Sequence, residues 1–553
     1  MDASTFDYVI VGAGSAGCVL ANRLTASGEH AVLLLEYGGS DRSVFIQMPS
    51  ALAIPMNRKQ YNWFYYTEPE PGLGRRRIHT PRGKVLGGSS SINGRVYIRG
   101  NALDFERWEA EGASGWGYSD VLPYFRRSER RAEGGDDYRG GEGPLGVRYG
   151  TLSNPLHAAW LAAAEQAGYS RTADVNGFRQ EGFGRMDMTV EGGVRASAAN
   201  AYLRPAMGRP KLKVESRALA SQIVFEGRRA VGVRYLRGGV EHLARARREV
   251  IVAAGSIGSP QLLKLSGIGP GAELQRFGIP VVHDLPGVGE NLQDHLEFYF
   301  QVACRKPITL YSVMNPFAKF RIGVEWVLFK SGLGATNHFE SCGFLRSRAG
   351  IPYPDIQYHF LPMAVSYDGS SLANEHGFQA HVGPMRSKSR GHVRLAGKDA
   401  LTQPKILFNY LSHPDDLAEM RACVRLTREI FSQHAFDEYR GREIAPGADV
   451  QGDEQIDEFI RHKVESAYHP SCSCKMGAPD DPLAVVDPQA RVYGVEALRV
   501  VDSSIMPSIT NGNLNAPTIM LAEKAADHII GKGMLPPSAA PYYQAANWAT
   551  SQR

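Results

Sequence analysis

A chain of 553 residues exceeds what one hydrophobic core supports, so two domains, woven together along the chain, are expected. Hydrophobic residues at 43% and charged residues at 22% exclude a disordered or fibrous protein. Sixty-two basic against 57 acidic residues leave a net charge of only +5, and the basic stretches "RRRIHTPRGK" and "RARREV" are interrupted by other residue types, so no nucleic-acid partner is expected.

Six cysteines (18, 304, 342, 423, 472, 474) are scattered apart from the last pair, which fits a reducing compartment rather than a disulfide framework. The start, "MDASTFD", has no secretory character, and no apolar run approaches the roughly 18–20 residues that span a bilayer. A cytoplasmic location is expected, with peripheral contact at the inner face of the cell membrane as an option.

Residues 6–36, "FDYVIVGAGSAGCVLANRLTASGEHAVLLLE", carry the strongest pattern. A short apolar run from Tyr8 to Val11 reads as a buried parallel strand. It meets Gly12-Ala-Gly14-Ser15-Ala16-Gly17, then a helical pattern with Val19, Leu20 and Leu24 on one face. A second apolar run ends in Glu36, nineteen positions beyond Gly17. In a dinucleotide fold Gly12 makes the turn, Gly14 admits a pyrophosphate, Gly17 lets helix and strand touch, and Glu36 accepts from ribose hydroxyls. The free N–H groups of Ser15 and Ala16 at the helix start face the phosphates. Nothing in this segment alone separates FAD from NAD.

Further along, "PRGKVLGGSSSINGRVYIRGNALDFERW" (81–108) sets Gly87 and Gly88 beside Ser91, Asn93 and Gly94, small residues that leave room for a flat ring. "GSIGSPQLLKLSGIG" (255–269) is a second small-residue turn leading into a helix, and "PGVGENLQDH" (286–295) follows. "SAYHPSCSCKMG" (466–477) invites a metal or redox reading, but Cys472 and Cys474 are one residue apart and no second cysteine pair exists. No metal site is expected, the Cys-x-x-Cys spacing of redox pairs is missing, and both cysteines read as loop packing. Near the end stands "LRVVDSSIMPSITNGNLNAPTIMLAEKAADHI" (498–529).

Together these segments resemble the glucose–methanol–choline (GMC) family of flavin-dependent oxidoreductases, and within it the choline-oxidising members, from about residue 5 to residue 531. The resemblance implies an α/β chain: a Rossmann-like FAD-binding domain with an inserted substrate domain of sheet plus helices. The FAD-binding domain would take 1–155, 195–302 and 485–531, the substrate domain 156–194 and 303–484, and a tail 532–553, either a disordered end or a packing arm. It also implies that the 87–95 segment lies along the flavin, that Asp502 reaches the ribityl–phosphate part, and that Asn515, Pro517 and Thr518 return to the ring. Some relatives bond FAD to a histidine where this chain has Ile92, so non-covalent FAD is expected.

His469 matches the family's active-site histidine and Asn515 its partner. Histidine titrates near neutrality and can take the hydroxyl proton of an alcohol while hydride leaves the carbon, and a neutral asparagine can steady the developing alkoxide. For the substrate, the resemblance points to choline, oxidised to betaine aldehyde for glycine betaine synthesis, with electrons passing to a quinone or other acceptor. A quaternary ammonium wants a carboxylate and aromatic faces. Glu340 falls where choline-oxidising relatives place an acid, Phe339 adjoins it, and "YNWFYY" (61–66) adds aromatics. "HFLPMAVSYDGSSLANEHGFQ" (359–379) is expected to line the site, with His376 a substrate contact and His359 a candidate. Open alternatives are an oxidase or dehydrogenase for aliphatic or aromatic alcohols, and a hydroxynitrile lyase. Oligomeric state stays open.

Overall fold

The computed structural model describes residues 4–366 and 375–553; the centre of the 359–379 stretch, 367–374, lies outside the described residues. Two seven-stranded sheets organise the molecule. The first runs in the order Leu212–Ser216, Val32–Glu36, Ser4–Val11, Val240–Val252, Arg229–Arg237, Ala218–Glu226, with Leu498–Val500 also paired to Val240–Val252. Its left half is parallel, with Val9 opposite Leu33 on one side and Val250 on the other. The segments Tyr8–Val11, Val32–Leu35 and Val250–Val252 are buried on both faces, so they read as unbroken apolar runs.

The helix Ser15–Leu24 follows the first strand, and the helix Asn515–Ile530 packs on it although about 500 residues separate them in sequence. Arg23 and Arg127 both pair with the fully buried Glu523, clamping this late helix in place. A buried charge with no water to solvate it needs such partners, and here it has two. The helix ends at Gly531, whose φ of +69° supplies the left-handed turn that stops it.

The second sheet is antiparallel, in the order Arg440–Ala445, Leu296–Cys304, Gly377–Pro384, Ile356–Leu361, Ser341–Leu345, Gly182–Arg185, with Glu465–Ser466 added to Leu296–Cys304. After Gly182–Arg185 the chain next joins this sheet at Leu296. Alternation sorts its residues. Phe298, Phe300 and Val302, with Tyr358, Phe360, Phe378 and Ala380, join one apolar core with residues of the helices Pro155–Gln166 and Pro414–Phe431. The intervening positions carry Glu297, Gln301, Gln357, His359, Gln379 and His381, a polar set on the opposite face.

The C-terminal segment is a packing arm. Tyr542 packs its ring edge-on against Tyr118, the Tyr543 N–H donates to the Phe178 carbonyl, and the Trp548 carbonyl accepts from the Gly350 N–H. Arg553 reaches Glu429 on the helix Pro414–Phe431.

Candidate active site

One long cavity runs from the first glycine turn to the polar face of the second sheet. At its first end Gly12 sits at φ +101°, and a side chain there would press on the Ala253 carbonyl. A side chain at Gly17 would strike the Gly12 carbonyl, so that glycine is required for helix and strand to touch. Gly14 differs: the space its side chain would take is open and borders the cavity. Ser15 and Ala16 line the cavity beside it.

Glu36 lines the same end, its two carboxylate oxygens accepting from the N–H groups of Ala13 (2.9 Å) and Gly38 (2.6 Å). Burial pushes its carboxyl up to about 7 while the two N–H groups pull it back. Each oxygen keeps a lone pair for a further donor, as a ribose hydroxyl would be.

The second glycine segment closes over the first: a side chain on Gly88 would meet the Gly14 backbone at 2.7 Å. Gly88, Asn93 and Gly94 line the cavity, and the side-chain direction of Gly94 is open. Gly87 and Ser91 stand behind the wall as supports, Gly87 donating its N–H to the Ala13 carbonyl and the Ser91 hydroxyl donating to the Leu86 carbonyl. Asp502 lines the cavity from the loop after Leu498–Val500 and accepts from the Ser259 hydroxyl (2.6 Å) and the Gly255 N–H (2.9 Å). Thr518 reaches the cavity and Pro517 is buried within the same helix.

Sequence reading passed over Arg95. It is fully buried, borders the cavity, and none of its three guanidinium nitrogens has a hydrogen-bond partner among the described residues. Burial and the nearby Arg195 both work against its charge. A buried guanidinium so placed calls for an electron-rich group supplied by a ligand.

At the far end stands His469, buried, on a loop whose Cys472 and Cys474 N–H groups donate to the carbonyls of Ser503 and Ser504. Both cysteines are fully buried, and burial pushes the Cys472 thiol up to about 12 and the Cys474 thiol higher still. They fasten the histidine loop to the short turn Ser503–Ile505 that follows the strand Leu498–Val500. Asp294 accepts from the His469 N–H (2.7 Å), from Ser466 and from Tyr410, which fixes the backbone of the loop. Burial raises Asp294 to about 6.

The hydrogen-bond chain through His469 has only one consistent set of protons. His295 Nε2 lies 3.0 Å from the Met385 carbonyl, which can only accept, so His295 donates there. Burial holds His295 down to about 4, so it is neutral and its Nδ1 accepts. That Nδ1 is 3.0 Å from His469 Nδ1, which must therefore donate, leaving the His469 Nε2 lone pair as the acceptor of the ring. Burial, reinforced by His295, His359 and Arg82, keeps His469 well below the ordinary histidine value and hence neutral.

Facing that lone pair is Asn513, whose Nδ2 is 3.0 Å from His469 Nε2. Its carbonyl oxygen accepts from Gln357 and His359, both at 3.2 Å, which pins the amide with nitrogen toward the histidine. This corrects the expected His469–Asn515 pairing. In "GNLNAPT" the helix begins at Asn515 and turns that side chain toward the first helix, where its oxygen accepts from the Ser15 hydroxyl at 2.8 Å. Asn515 still borders the cavity, on the glycine side.

Glu340 is also corrected. It is not among the cavity-lining residues; Thr336 donates to one carboxylate oxygen, and Thr151 and the Leu152 N–H to the other. Burial would raise its carboxyl, but Thr336, His157 and Leu152 hold it below the ordinary value. His376 likewise turns away, sharing a hydrogen bond with the Thr309 hydroxyl. The acid that lines the cavity at this end is Glu297, buried on the polar face of the second sheet and joined to His381 Nδ1 at 3.1 Å. Phe339 borders the cavity, with its ring 5.2 Å from that of His381, and Trp63, Tyr65 and Tyr468 add aromatic wall.

Among known proteins, models of the GMC oxidoreductase family match residues 6–297 and 387–522. The chain belongs to the GMC oxidoreductase family. It is 57% identical over 552 residues to an oxygen-dependent choline dehydrogenase of Photobacterium profundum, covering 100% of this chain and 97% of that protein. It is 59% identical over 547 residues to one of Brucella suis, covering 99% and 100%. Among solved structures, pyridoxine 4-oxidase from Mesorbium loti superposes with a TM-score of 0.87 at 30% identity, covering 95% of this chain and 99% of that one. A formate oxidase of Aspergillus oryzae, studied for modification of its FAD, gives 0.89 at 26% identity, covering 96% and 99%. FAD is thus the cofactor of this GMC oxidoreductase. The open glycine faces, the half-used Glu36 carboxylate and the unpartnered Arg95 fit such a group.

Proposed function

We propose that this GMC oxidoreductase oxidises choline to betaine aldehyde, passing electrons to a quinone or another acceptor. One observation carries the reading. A neutral histidine lone pair with an oriented amide beside it shares a cavity with a buried carboxylate and with the glycine cradle.

Bound FAD supplies the acceptor for the hydride that leaves the carbinol carbon. The protein's part concerns the proton and the position of the substrate. The alcohol O–H displaces the Asn513 amide hydrogen from His469 Nε2 and donates there, and His469 becomes imidazolium while its Nδ1–H stays directed at His295 Nδ1. The displaced Nδ2 hydrogen of Asn513 turns to the alcohol oxygen and steadies the negative charge that grows there. Glu297 takes the trimethylammonium end, which offers no hydrogen to donate and so is recognised by charge and by the faces of Phe339, Tyr468 and the neighbouring aromatics. Holding both ends of a short alcohol sets the carbinol carbon in one place.

Under nitrogen, choline is expected to bleach the flavin absorbance of the holoenzyme, one flavin per aldehyde formed. A yellow protein that neither choline nor any other primary alcohol bleaches overturns the assignment, and with it any oxidoreductase reading of the site. Aldehyde counted against peroxide in air then separates oxygen from another acceptor. Ile92 borders the cavity and carries no nucleophile, so FAD is held without a covalent bond through that position. Acid precipitation should leave the yellow colour in the supernatant; colour retained in the pellet contradicts this.

A further inference from the structure

The helix Pro316–Phe329, "PFAKFRIGVEWVLF", begins conventionally, with Asn315 accepting from the Ala318 N–H and Pro316 in its first turn, and stops at Lys330 in the left-handed region. Its packing is unusual. Only Ala318 and Trp326 are buried, and Trp326 anchors the helix by donating its indole N–H to the Gly193 carbonyl. On the other side Phe317, Phe320, Val324, Val327 and Leu328 follow one another at helical spacing as a continuous stripe, open to solvent. Phe317 is 77% exposed, Phe320 71% and Leu328 65%. Isolated exposed apolar residues are ordinary; five on one helix face are not.

We propose that this face docks on an anionic lipid surface, lying in the plane of the membrane rather than crossing it. The helix, about 21 Å long, is too short to span a bilayer. Of its charges, Arg321 borders the stripe, Lys319 and Lys330 lie on the Trp326 side with Lys330 over the Trp326 ring, and Glu325 is its one acid. A second copy of the chain is the poorer occupant, because a two-fold contact through this stripe would bring the Arg321 guanidinium toward its own equivalent. The helix runs directly into Gly332–Ala335, which packs on Pro49–Ala51; the next residue, Leu52, borders the active-site cavity. Docking this face therefore sets the site beside lipid, where a lipid-soluble acceptor would be found.

Holoenzyme sedimented with vesicles of phosphatidylcholine and phosphatidylglycerol tests the proposal. The wild-type protein is expected in the pellet and the double variant Phe317→Glu, Phe320→Glu in the supernatant. The pair Lys319→Gln, Arg321→Gln should weaken binding to these vesicles roughly thirtyfold while leaving the weaker binding to pure phosphatidylcholine unchanged. Flavin content and choline bleaching of each variant, measured in the same preparation, should equal wild type, so loss of docking is distinguishable from loss of the proposed reaction. Wild-type protein remaining in the supernatant, or a glutamate variant that pellets as wild type does, overturns it. Vesicle indifference together with a dimer that the glutamates dissociate assigns the face to a second copy instead.

Discussion

Replacing His469 with glutamine is expected to slow flavin reduction by choline about a thousandfold, within the range a positioned general base contributes. The side chain keeps its bulk and polarity, so FAD content and thermal stability should stay near wild type. The pH profile carries the sharper test. A base is competent above its own pKa, and burial lowers that of His469 well below the ordinary histidine value. The acid limb of the profile for choline should therefore lie below about pH 6.5, with a flat region through neutrality. His295→Phe removes the acceptor at His469 Nδ1 and with it the fixed tautomer; it should lower the rate and move that limb, whereas a purely structural loss would leave the limb where it was. A glutamine variant retaining near-normal reduction rates would remove His469 from the chemistry.

Glu297→Gln should cost choline about a hundredfold in kcat/KM, the scale of one lost charge pair at a part-screened buried site. The comparison substrate is the carbon isostere in which a tert-butyl group replaces trimethylammonium. Having no charge, it should lose little, so the ratio between the two substrates isolates the electrostatic contact. Glu340→Gln serves as the counterpart. Its carboxylate is engaged by Thr336, Thr151 and Leu152, so the change should lower stability while leaving that ratio unaltered. If Glu340→Gln moves the ratio and Glu297→Gln does not, the cation end has been assigned to the wrong acid.

The contrast between these two acids shows where sequence is informative. The glycine turn was legible because each residue there answers a local need: a positive φ at Gly12, contact at Gly17, open space at Gly14. Glu36 followed from the length of one strand–helix–strand unit. Glu297, Gln357, His359 and His381 come from strands far apart in the chain, and only pairing brings them onto one face. Their signal was present as polar residues at every second position of otherwise apolar strands, a pattern that marks a wetted or functional sheet face. Asn513 and Asn515 could not be separated without knowing where the helix starts, since two residues of turn send one asparagine to the histidine and the other to Ser15. Arg95 carried no local signal; its meaning depends on the absence of protein partners.

The last residues of the chain tie together three elements that are far apart in sequence. Tyr542 rests on the helix Tyr118–Ser128, the carbonyl of Trp548 takes the N–H of Gly350 beyond the strand Ser341–Leu345, and Arg553 reaches the helix Pro414–Phe431. An affinity tag or fusion partner joined at that end would pull directly on the strap that ties these three elements together. Handles for purification or immobilisation therefore belong at the opposite terminus.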